Sequence, residues 1–358
     1  MPLDLHSVSA QVHAMGDDLR AHSAGRLDLL EKAVELFKAS GSATRFSPAS
    51  PPNDYRALAT DGSHIDVDRH MPVPCALINI SKVMLQYGSA PGVRLGSQPR
   101  LYATAEELSV GTQADQESQP LTGALMGLRR TVEEVTALAE LAEEHADTLL
   151  TLGLIDGSLI LWSPEFHSYP EHVRRSLLDD GFLPALDRLK AVAERKRLTV
   201  AAYISMPRST TVVNMLPLQE HTQGDYRWMV DRDVFERTLA VGERSGTFPS
   251  TSAYVREHYR EHATHFYYLK TEQEMARVEV PAWVAEDEAL LALTHSLLLD
   301  QCRKGLGYPV AIMEAHEQAV IGGHERELFR QMVEEALARQ GLDVYTSEKA
   351  RSKRLRWV

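Results

Sequence analysis

Two copies of the tripeptide Asp-Gly-Ser, each directly after a short apolar run, most constrain how this 358-residue chain can fold. Asp61 follows the run at 57–60, and Asp156 follows the run at 152–155. An acid at the C-terminal tip of a buried strand has a fixed backbone, and the Gly and Ser after it let the chain turn away. Two such acids can converge on a metal ion. Because Asp-Gly is also a common turn dipeptide, two unrelated turns are the alternative interpretation.

The order of the predicted elements favours an α/β fold, a mixed sheet with helices on its faces. The strand–helix–strand order at 148–205 implies a right-handed parallel crossover, and the first three strands suggest an antiparallel meander. The apolar patterning predicts a helix at 9–38, strands at 57–60, 75–82 and 100–104, a helix at 125–146, a strand at 148–155 prolonged by 159–162, a helix at 173–196, a strand at 198–205, a helix at 231–244, strands at 265–269 and 276–280, and helices at 286–304 and 311–338.

Candidate ligands come from both ends of the chain, so we expect one integrated domain with helical additions. The predicted division is an N-terminal helical extension at 1–45, a main domain at 46–340 and a basic C-terminal tail at 341–358.

Composition excludes several classes of protein. No apolar run approaches the length of a membrane span, and no basic segment followed by an apolar one opens the chain, so we expect a cytoplasmic protein without a membrane partner. Cys75 and Cys302 are the only cysteines, which excludes a disulfide framework and a Cys-rich zinc module. Any metal site must therefore use oxygen and imidazole ligands.

Charge is unevenly distributed along the chain. The formal net charge of −12 argues against a surface uniformly devoted to nucleic acid. The segment 349–356, which contains Arg354, is strongly basic. It is either an arm that contacts phosphates or a partner, or a solvated terminus.

The candidate metal ligands are two aspartates, one glutamate and one histidine. Besides Asp61 and Asp156, the helix that leads to the second strand offers Glu134 or Glu133. Adjacent helical residues cannot both point inward, so at most one of these two glutamates is a ligand. Such oxygen ligands select Mg²⁺ or Mn²⁺, and an imidazole shifts the preference toward Mn²⁺. His316 either binds the metal, acts on the leaving group, or is merely structural or exposed.

Two cations are candidates for DNA contact. Arg208 follows a predicted strand at the sheet edge expected for Asp156 and could hold a phosphate, or it is a loop residue in solvent. Lys270 and the aromatic residues at 266–268 could bind single-stranded bases, or they belong to a half-buried edge strand.

Other chemistries lack their motifs. The sequence contains no phosphate-binding Gly-x-x-x-x-Gly-Lys-Ser/Thr, no Gly-x-Gly-x-x-Gly after a strand and no Gly-x-Ser-x-Gly elbow. A carboxylate pair could also serve a glycosidase, but the four tryptophans show no clustering that would suggest a sugar-binding cleft.

The order of these motifs resembles the NurA nuclease family, 5′ to 3′ DNA nucleases that work with the HerA hexameric translocase in DNA end processing. The resemblance spans nearly the whole chain. Its motifs are the segments 59–63, 155–159, 203–205, 277–281, 308–309 and 314–316.

The resemblance implies an RNase H-like core with additional N- and C-terminal helices, which makes 46–340 the nuclease domain. It also implies Mn²⁺-dependent cleavage, with Mg²⁺ as the second choice, and a homodimer that encloses DNA and docks on a HerA-type ATPase. The matching site residues are Asp61, Asp156, Glu134 or Glu133, Tyr308 and His316. Met206 stands where this family usually has a lysine, and Arg208 follows it.

From these observations we expect a DNA nuclease that acts in end resection and double-strand break repair and is associated with the nucleoid. Single- and double-stranded DNA ends are the expected substrates, and internal cutting of single strands is a second activity. A non-catalytic clamp or scaffold for the translocase and a ribonuclease are the alternatives.

Overall fold

The computed structural model describes residues 4–21, 23–68, 72–111, 118–163, 165–221 and 226–342. Its strands are β1 (Arg45–Phe46), β2 (Tyr55–Thr60), β3 (Gly62–Ile65), β4 (Ala76–Tyr87), β5 (Gly92–Tyr102), β6 (Ser109–Val110), β7 (Gln119–Pro120), β8 (Thr151–Asp156), β9 (Leu198–Ile204), β10 (Arg244–Ser245), β11 (Phe248–Pro249), β12 (Thr264–Lys270) and β13 (Met275–Pro281). Its helices are α1 (Leu5–Ala21), α2 (Ser23–Ala39), α3 (Ala124–His145), α4 (Glu171–Leu177), α5 (Leu183–Ala193), α6 (Leu218–His221), α7 (Asp231–Glu236), α8 (Ala253–His258), α9 (Ala282–Ala285), α10 (Glu288–Lys304), α11 (Val310–Ala319) and α12 (Gly323–Arg339).

A single mixed sheet forms the centre of the molecule. Its path runs β1-β10-β12-β13-β9-β8-β2-β4-β3, with β5 paired to β4 and β11 paired to β12. The antiparallel meander β2-β4-β5 is followed by α3, β8, α4 with α5, and β9, and β8 is parallel to both β2 and β9. The predicted fold class, an α/β fold with a mixed sheet flanked by helices, is confirmed.

The sheet separates two apolar layers, and strand periodicity explains the division. Along β2, Leu58 packs with residues of α3, α4 and α5, whereas Ala57 and Ala59 pack on the other face with residues of α10 and α11. Successive side chains of a strand point to opposite faces, so small alanines allow close approach of α11 on one side. A third apolar cluster joins α2 to α7 and β12.

The helix predicted at 173–196 contains a π-helical turn at Leu178–Phe182, between α4 and α5. Pro184 follows this turn and cannot donate the backbone hydrogen bond that a regular helix requires there. The wider π-helical turn accommodates the missing backbone hydrogen bond. It also brings Gly181 against α3, where an added Cβ would lie 2.8 Å from Cγ1 of Val132.

Further predicted elements are wrong in extent. The strand predicted at 100–104 is only the end of β5, which runs from Gly92 to Tyr102. Residues 159–162 form a loop instead of prolonging β8, although Leu159 and Leu161 are buried. The helix predicted at 231–244 ends at Glu236. The helix predicted at 311–338 is two helices, α11 and α12, because 320–322 leave the helical path before Gly323.

At the ends of the chain, the structure describes the predicted N-terminal helical region and only the start of the basic tail. The helix expected at 9–38 corresponds to α1 and α2, with residue 22 outside the described residues. The predicted domain boundaries stay a prediction, and most of the basic tail lies outside the described residues. None of the helices within the described part of the chain is long and apolar enough to span a membrane.

Candidate metal centre

The two aspartates lie side by side at one edge of the sheet. Asp61 directly follows β2, Asp156 ends β8, and the parallel register pairs Thr60 with Ile155. The carboxyl ends of parallel neighbours meet at the same edge, which brings the two acids together from 95 residues apart in sequence, the difference between positions 156 and 61. Gly157 has a φ of 93°, which lets the chain turn away immediately after Asp156.

Glu134 approaches the aspartates from α3 and is almost fully buried, with 5 % of its surface exposed. The pKa of its carboxyl is raised to about 8: burial is the main cause, the Arg130 guanidinium opposes it, and the charges of Asp61 and Asp156 add to the rise. Nη1 of Arg130 lies 3.5 Å from Oε1 of Glu134. Among the described residues, this Oε1 has no hydrogen-bond partner. The site thus contains a buried carboxylate oxygen without a complementary donor.

Gly62 makes this approach of α3 to the strand end possible. A Cβ at position 62 would lie 2.7 Å from Oε1 of Glu134 and 2.9 Å from Cγ of Arg130. Its backbone N–H donates to Oδ1 of Asp61 over 2.7 Å. The first glycine of the repeated tripeptide therefore has a steric role as well as a role in turning the chain.

Glu133 points away from the aspartates. Its Oε1 accepts hydrogen bonds from the hydroxyl of Tyr102 and, over 3.0 Å, from Nε of Arg129. Of the two glutamates that the sequence left open, the structure brings only Glu134 to the cleft.

Tyr308 contacts Asp156 from the loop before α11. Its hydroxyl donates to Oδ1 of Asp156 over 2.9 Å, and its ring meets that of Tyr203 edge-on at 5.2 Å between centroids. The pKa of Asp156 is raised by burial, lowered by the Tyr308 hydrogen bond, and raised by the charge of Asp61. Tyr308 therefore fixes the orientation of a carboxylate that burial and a like charge both disfavour.

His316 reaches Asp61 from α11. Its Nδ1 lies 2.9 Å from Oδ2 of Asp61, and its side chain is 59 % exposed. The end of α11 is held against the same strand region, because the carbonyl of Ala319 accepts hydrogen bonds from Oγ of Ser63 and from Nδ2 of Asn79. Packing of α11 on the sheet thus aligns residues that are 255 positions apart.

These groups surround an open cleft of about 500 Å³. Arg130 is the permanent cation among the described residues that line it, and its Nη1 also donates to the carbonyl of Gly62. Three carboxylates therefore share one guanidinium. The lining residues are Asp61, Gly62, Ser63, Arg130, Thr131, Glu134, Asp156, Gly157, Ser158, Ile160, Trp162 and His316.

The donor set of the cleft fits a hard divalent cation. Carboxylate oxygens and one imidazole are ligands that Mn²⁺ accepts, and the orphaned Oε1 of Glu134 supplies a buried acceptor for it. The ligand atoms are not gathered around a single point. Within the described ranges, the only three His, Cys, Asp or Glu ligand atoms within 4.8 Å of one another belong to Asp187, Glu261 and His262, which lie outside the cleft.

Of the three predicted DNA-contacting cations, the two within the described residues, Arg208 and Lys270, are not part of the cleft lining. Arg208 is exposed and follows β9, whose parallel pairing with β8 places it at the predicted sheet edge. Lys270 is held by Glu236, with Nζ 2.8 Å from its carbonyl oxygen and 2.9 Å from Oε2. Arg354 lies outside the described residues.

The aromatic residues of β12 are unavailable to bases. Phe266, Tyr267 and Tyr268 are fully buried, because Phe266 and Tyr268 belong to the third apolar cluster and Tyr267 to the layer on the other face of the sheet. β12 is also paired on both sides, by β13 and by β10 and β11. Base stacking on these rings was therefore a wrong interpretation, and the strand is not at the edge of the sheet.

Sequence reasoning missed two side chains of the cleft. Arg130 precedes Glu134 by one helical turn, and this i,i+4 spacing was a usable signal. Trp162 lies in the loop after Asp156, within the segment mistaken for a strand. Apolar alternation in that segment concealed a loop that lines the site.

Comparison with models of known protein families identifies the family of this chain. A family model described as the NurA domain matches residues 55–321. A solved structure titled "Crystal structure of NurA" is 11 % identical, with 92 % of this chain and 97 % of that chain covered and a TM-score of 0.45. A structure of NurA with manganese is 11 % identical, with 87 % and 96 % covered and a TM-score of 0.46.

A third solved structure, of NurA bound to dAMP and manganese, is also 11 % identical, with 94 % of this chain and 97 % of that chain covered and a TM-score of 0.42. The search of curated proteins finds no match to this chain.

Proposed function

Because the chain belongs to the NurA family, we propose that its cleft is the active site of a metal-dependent DNA nuclease. The observation that carries the proposal is the buried Glu134, whose unpartnered Oε1 faces the cleft beside Asp61 and Asp156. A buried carboxylate oxygen that accepts no hydrogen bond is costly, and a bound cation would offset that cost.

Asp61, Glu134, Asp156 and His316 would hold the metal, with Mn²⁺ preferred and Mg²⁺ as the alternative. The bound cation would supply an activated water and charge stabilisation for the leaving oxygen. Tyr308 holds Asp156 in one orientation through its 2.9 Å hydrogen bond. Nδ1 of His316 lies 2.9 Å from Oδ2 of Asp61, which holds the imidazole beside a proposed ligand at the exposed side of the cleft. Arg130 offers a guanidinium to a phosphate in the cleft.

The finer parts of the proposal come from the family. We propose 5′ to 3′ exonuclease activity with internal cutting of single strands, in association with the nucleoid, a second copy of the chain and a HerA-type hexameric ATPase. The role would be end resection in double-strand break repair. The formal net charge of −12 is compatible with this, because a basic channel lining and the partner would provide DNA affinity. Arg208, Lys270 and Arg354 stay proposed DNA contacts.

The test is cleavage of end-labelled DNA, RNA and hybrid strands with Mn²⁺, Mg²⁺ or chelator. We expect Mn²⁺-dependent DNA degradation that Asp61→Asn and Asp156→Asn abolish while leaving thermal unfolding cooperative. Asp187→Asn, outside the cleft, is the matched control and retains activity. Absence of cleavage with every cation would favour the scaffold alternative, and preference for RNA would favour a ribonuclease.

A further inference from the structure

Trp162 is a large aromatic side chain that the cleft leaves in solvent. It is 61 % exposed, and it lines the same cleft as Asp61, Glu134 and Asp156. Among the described residues, it is the only mostly exposed large apolar side chain in that lining. Scattered exposed apolar residues are ordinary on protein surfaces, so its position beside the acids is what gives it significance.

The loop that presents Trp162 is firmly held. Leu159 and Leu161, which flank Ile160, are each 1 % exposed, so every second side chain is anchored in the core. Oε2 of Glu279 accepts hydrogen bonds from the backbone N–H of Leu159 over 3.0 Å and from Oγ of Ser158 over 2.6 Å. The hydroxyl of Tyr259 accepts from the N–H of Leu161 over 2.7 Å.

The anchor of this loop is itself buried and charge-compensated. Nη2 of Arg277 lies 2.9 Å from Oε1 of Glu279, and the same guanidinium carbon lies 3.7 Å from the centroid of Phe266. A loop fixed at three backbone and side-chain points loses little entropy when its exposed ring binds a ligand. Ile160 and Trp162 therefore form a preorganised apolar part of the lining of the cleft that also contains the acids.

A polymer that carries anionic phosphates and flat apolar rings matches a cleft lined by both charged groups and an exposed apolar ring. Its phosphate would lie at the acids and Arg130, and the adjoining ring would lie at Trp162. Every nucleobase offers a π-face, so stacking on an aromatic residue tolerates any sequence. Inside a duplex, base faces are covered by neighbouring pairs, and an indole outside the helix cannot reach them without unstacking.

We propose that Trp162 is a stacking platform for an unpaired nucleobase next to the scissile phosphodiester, which makes a single-stranded end the preferred substrate of the cleft. This inference rests on the proposed nuclease function for its substrate, and it adds the residue that distinguishes unpaired from paired ends.

The first test needs no variant. Binding of the intact protein to a fluorescently labelled 12-nucleotide single strand in chelator is compared with binding to strands that carry one abasic nucleotide, moved one position at a time from the 5′ end. We expect one position at which base removal weakens binding about tenfold, since a base stacked on an aromatic residue contributes on that order. Equal affinity at every position overturns the proposal.

The second test removes the ring. Trp162→Leu should weaken binding of the normal strand about tenfold and leave binding of the sensitive abasic strand unchanged, while Trp162→Phe loses less than about threefold. Trp228→Leu, at a half-buried tryptophan of the third apolar cluster, is the matched control and should bind both strands normally. A Trp162→Leu loss of equal size on both strands, or on a blunt duplex, contradicts a stacked unpaired base.

Failure of the nuclease proposal is distinguishable from failure of this one. A protein that shows the abasic effect but cleaves no strand with Mn²⁺ or Mg²⁺ retains the platform and loses the catalytic assignment. A protein that cleaves normally, yet binds normal and abasic strands equally, retains the catalytic assignment and loses the platform.

Discussion

Two clusters of acidic and histidine side chains differ in burial, a difference that the distances between their ligand atoms do not show. Asp187, Glu261 and His262 bring three ligand atoms within 4.8 Å of one another, whereas the cleft of Asp61, Glu134 and Asp156 does not meet that criterion. In the first cluster the Asp187 and Glu261 side chains are 58 % and 55 % exposed, and Nζ of Lys190 lies 2.6 Å from Oε2 of Glu261. Solvent and a lysine already satisfy those charges.

The cleft has the opposite character. Glu134 is buried, one of its oxygens has no hydrogen-bond partner among the described residues, and burial is the main cause of its raised pKa. The pKa of Asp156 is raised mainly by the same effect. Burial of several carboxylates around one guanidinium, with one carboxylate oxygen that accepts no hydrogen bond, is therefore what marks a candidate cation site in this molecule, more than close spacing.

The largest expected difference between the clusters is in catalysis. Asp156→Asn should lower Mn²⁺-dependent DNA cleavage about a thousandfold or more, because a lost ligand removes several kcal/mol of transition-state stabilisation. Asp187→Asn should change the rate less than about twofold. Initial rates on an end-labelled single strand measure both variants, and comparable losses in the two would erase the distinction.

Metal binding should also stabilise the fold through one cluster alone. Mn²⁺ at 100 times its dissociation constant should add about 2.7 kcal/mol to the free energy of unfolding, a rise in Tm of roughly 3–5 °C for a chain of this length. Differential scanning calorimetry should show this shift in the unmodified protein and in Glu261→Gln. The double variant Asp61→Asn with Asp156→Asn should lose it, and a shift that survives there would locate the ion elsewhere.

A smaller effect is expected from the residue that orients Asp156. Tyr308→Phe keeps the ring packed on Tyr203 but removes the hydroxyl that donates to Oδ1 of Asp156. Removing such a supporting hydrogen bond weakens metal binding about 10–100-fold. Calorimetric titration of Mn²⁺ measures the change, and unaltered affinity would show that Tyr308 does not support the ligand.

The smallest effect belongs to the second cluster, where a structural role is expected. His262 is 3 % exposed and its Nε2 lies 2.7 Å from Oδ1 of Asp187. His262→Ala should lower the free energy of unfolding by about 1–3 kcal/mol through the lost hydrogen bond and packing. Urea denaturation measures this loss. Cleavage at a temperature where the variant is folded should stay normal. Loss of metal-dependent activity there would show that the second cluster, and not the cleft alone, supports catalysis.

The strand-end rule explains why the aspartates were predictable from sequence. Asp61 and Asp156 each follow an apolar run, whereas the parallel pairing of β2 with β8 was not predicted, because the strands of the meander as well as α3 separate the two in sequence. The glutamate was not decided, because Glu133 and Glu134 differ by about 100° around α3 and the sequence does not say which face meets the strand end. The absence of a side chain at Gly62 lets α3 approach the end of β2 with Glu134 facing it.

The errors at 159–162 and at 320–322 have the same physical cause. An apolar pattern indicates which side chains are buried, but it does not indicate which hydrogen bonds the backbone makes. Leu159 and Leu161 alternate with Ile160 and Trp162 as in a strand, but the segment is held by Glu279 and Tyr259 instead of strand pairing. The run across 320–322 stays apolar, yet the helix ends at Ala319, where its carbonyl accepts hydrogen bonds from Ser63 and Asn79. These tertiary contacts join distant parts of the sequence.

The most direct test of the central claim is an anomalous difference map from a crystal of the full chain grown with Mn²⁺. We predict manganese density in the cleft, within bonding distance of Asp61 and Asp156, and none beside Asp187, Glu261 and His262. Density at that second cluster alone, or no density at either, would contradict the assignment of the cleft as the metal centre.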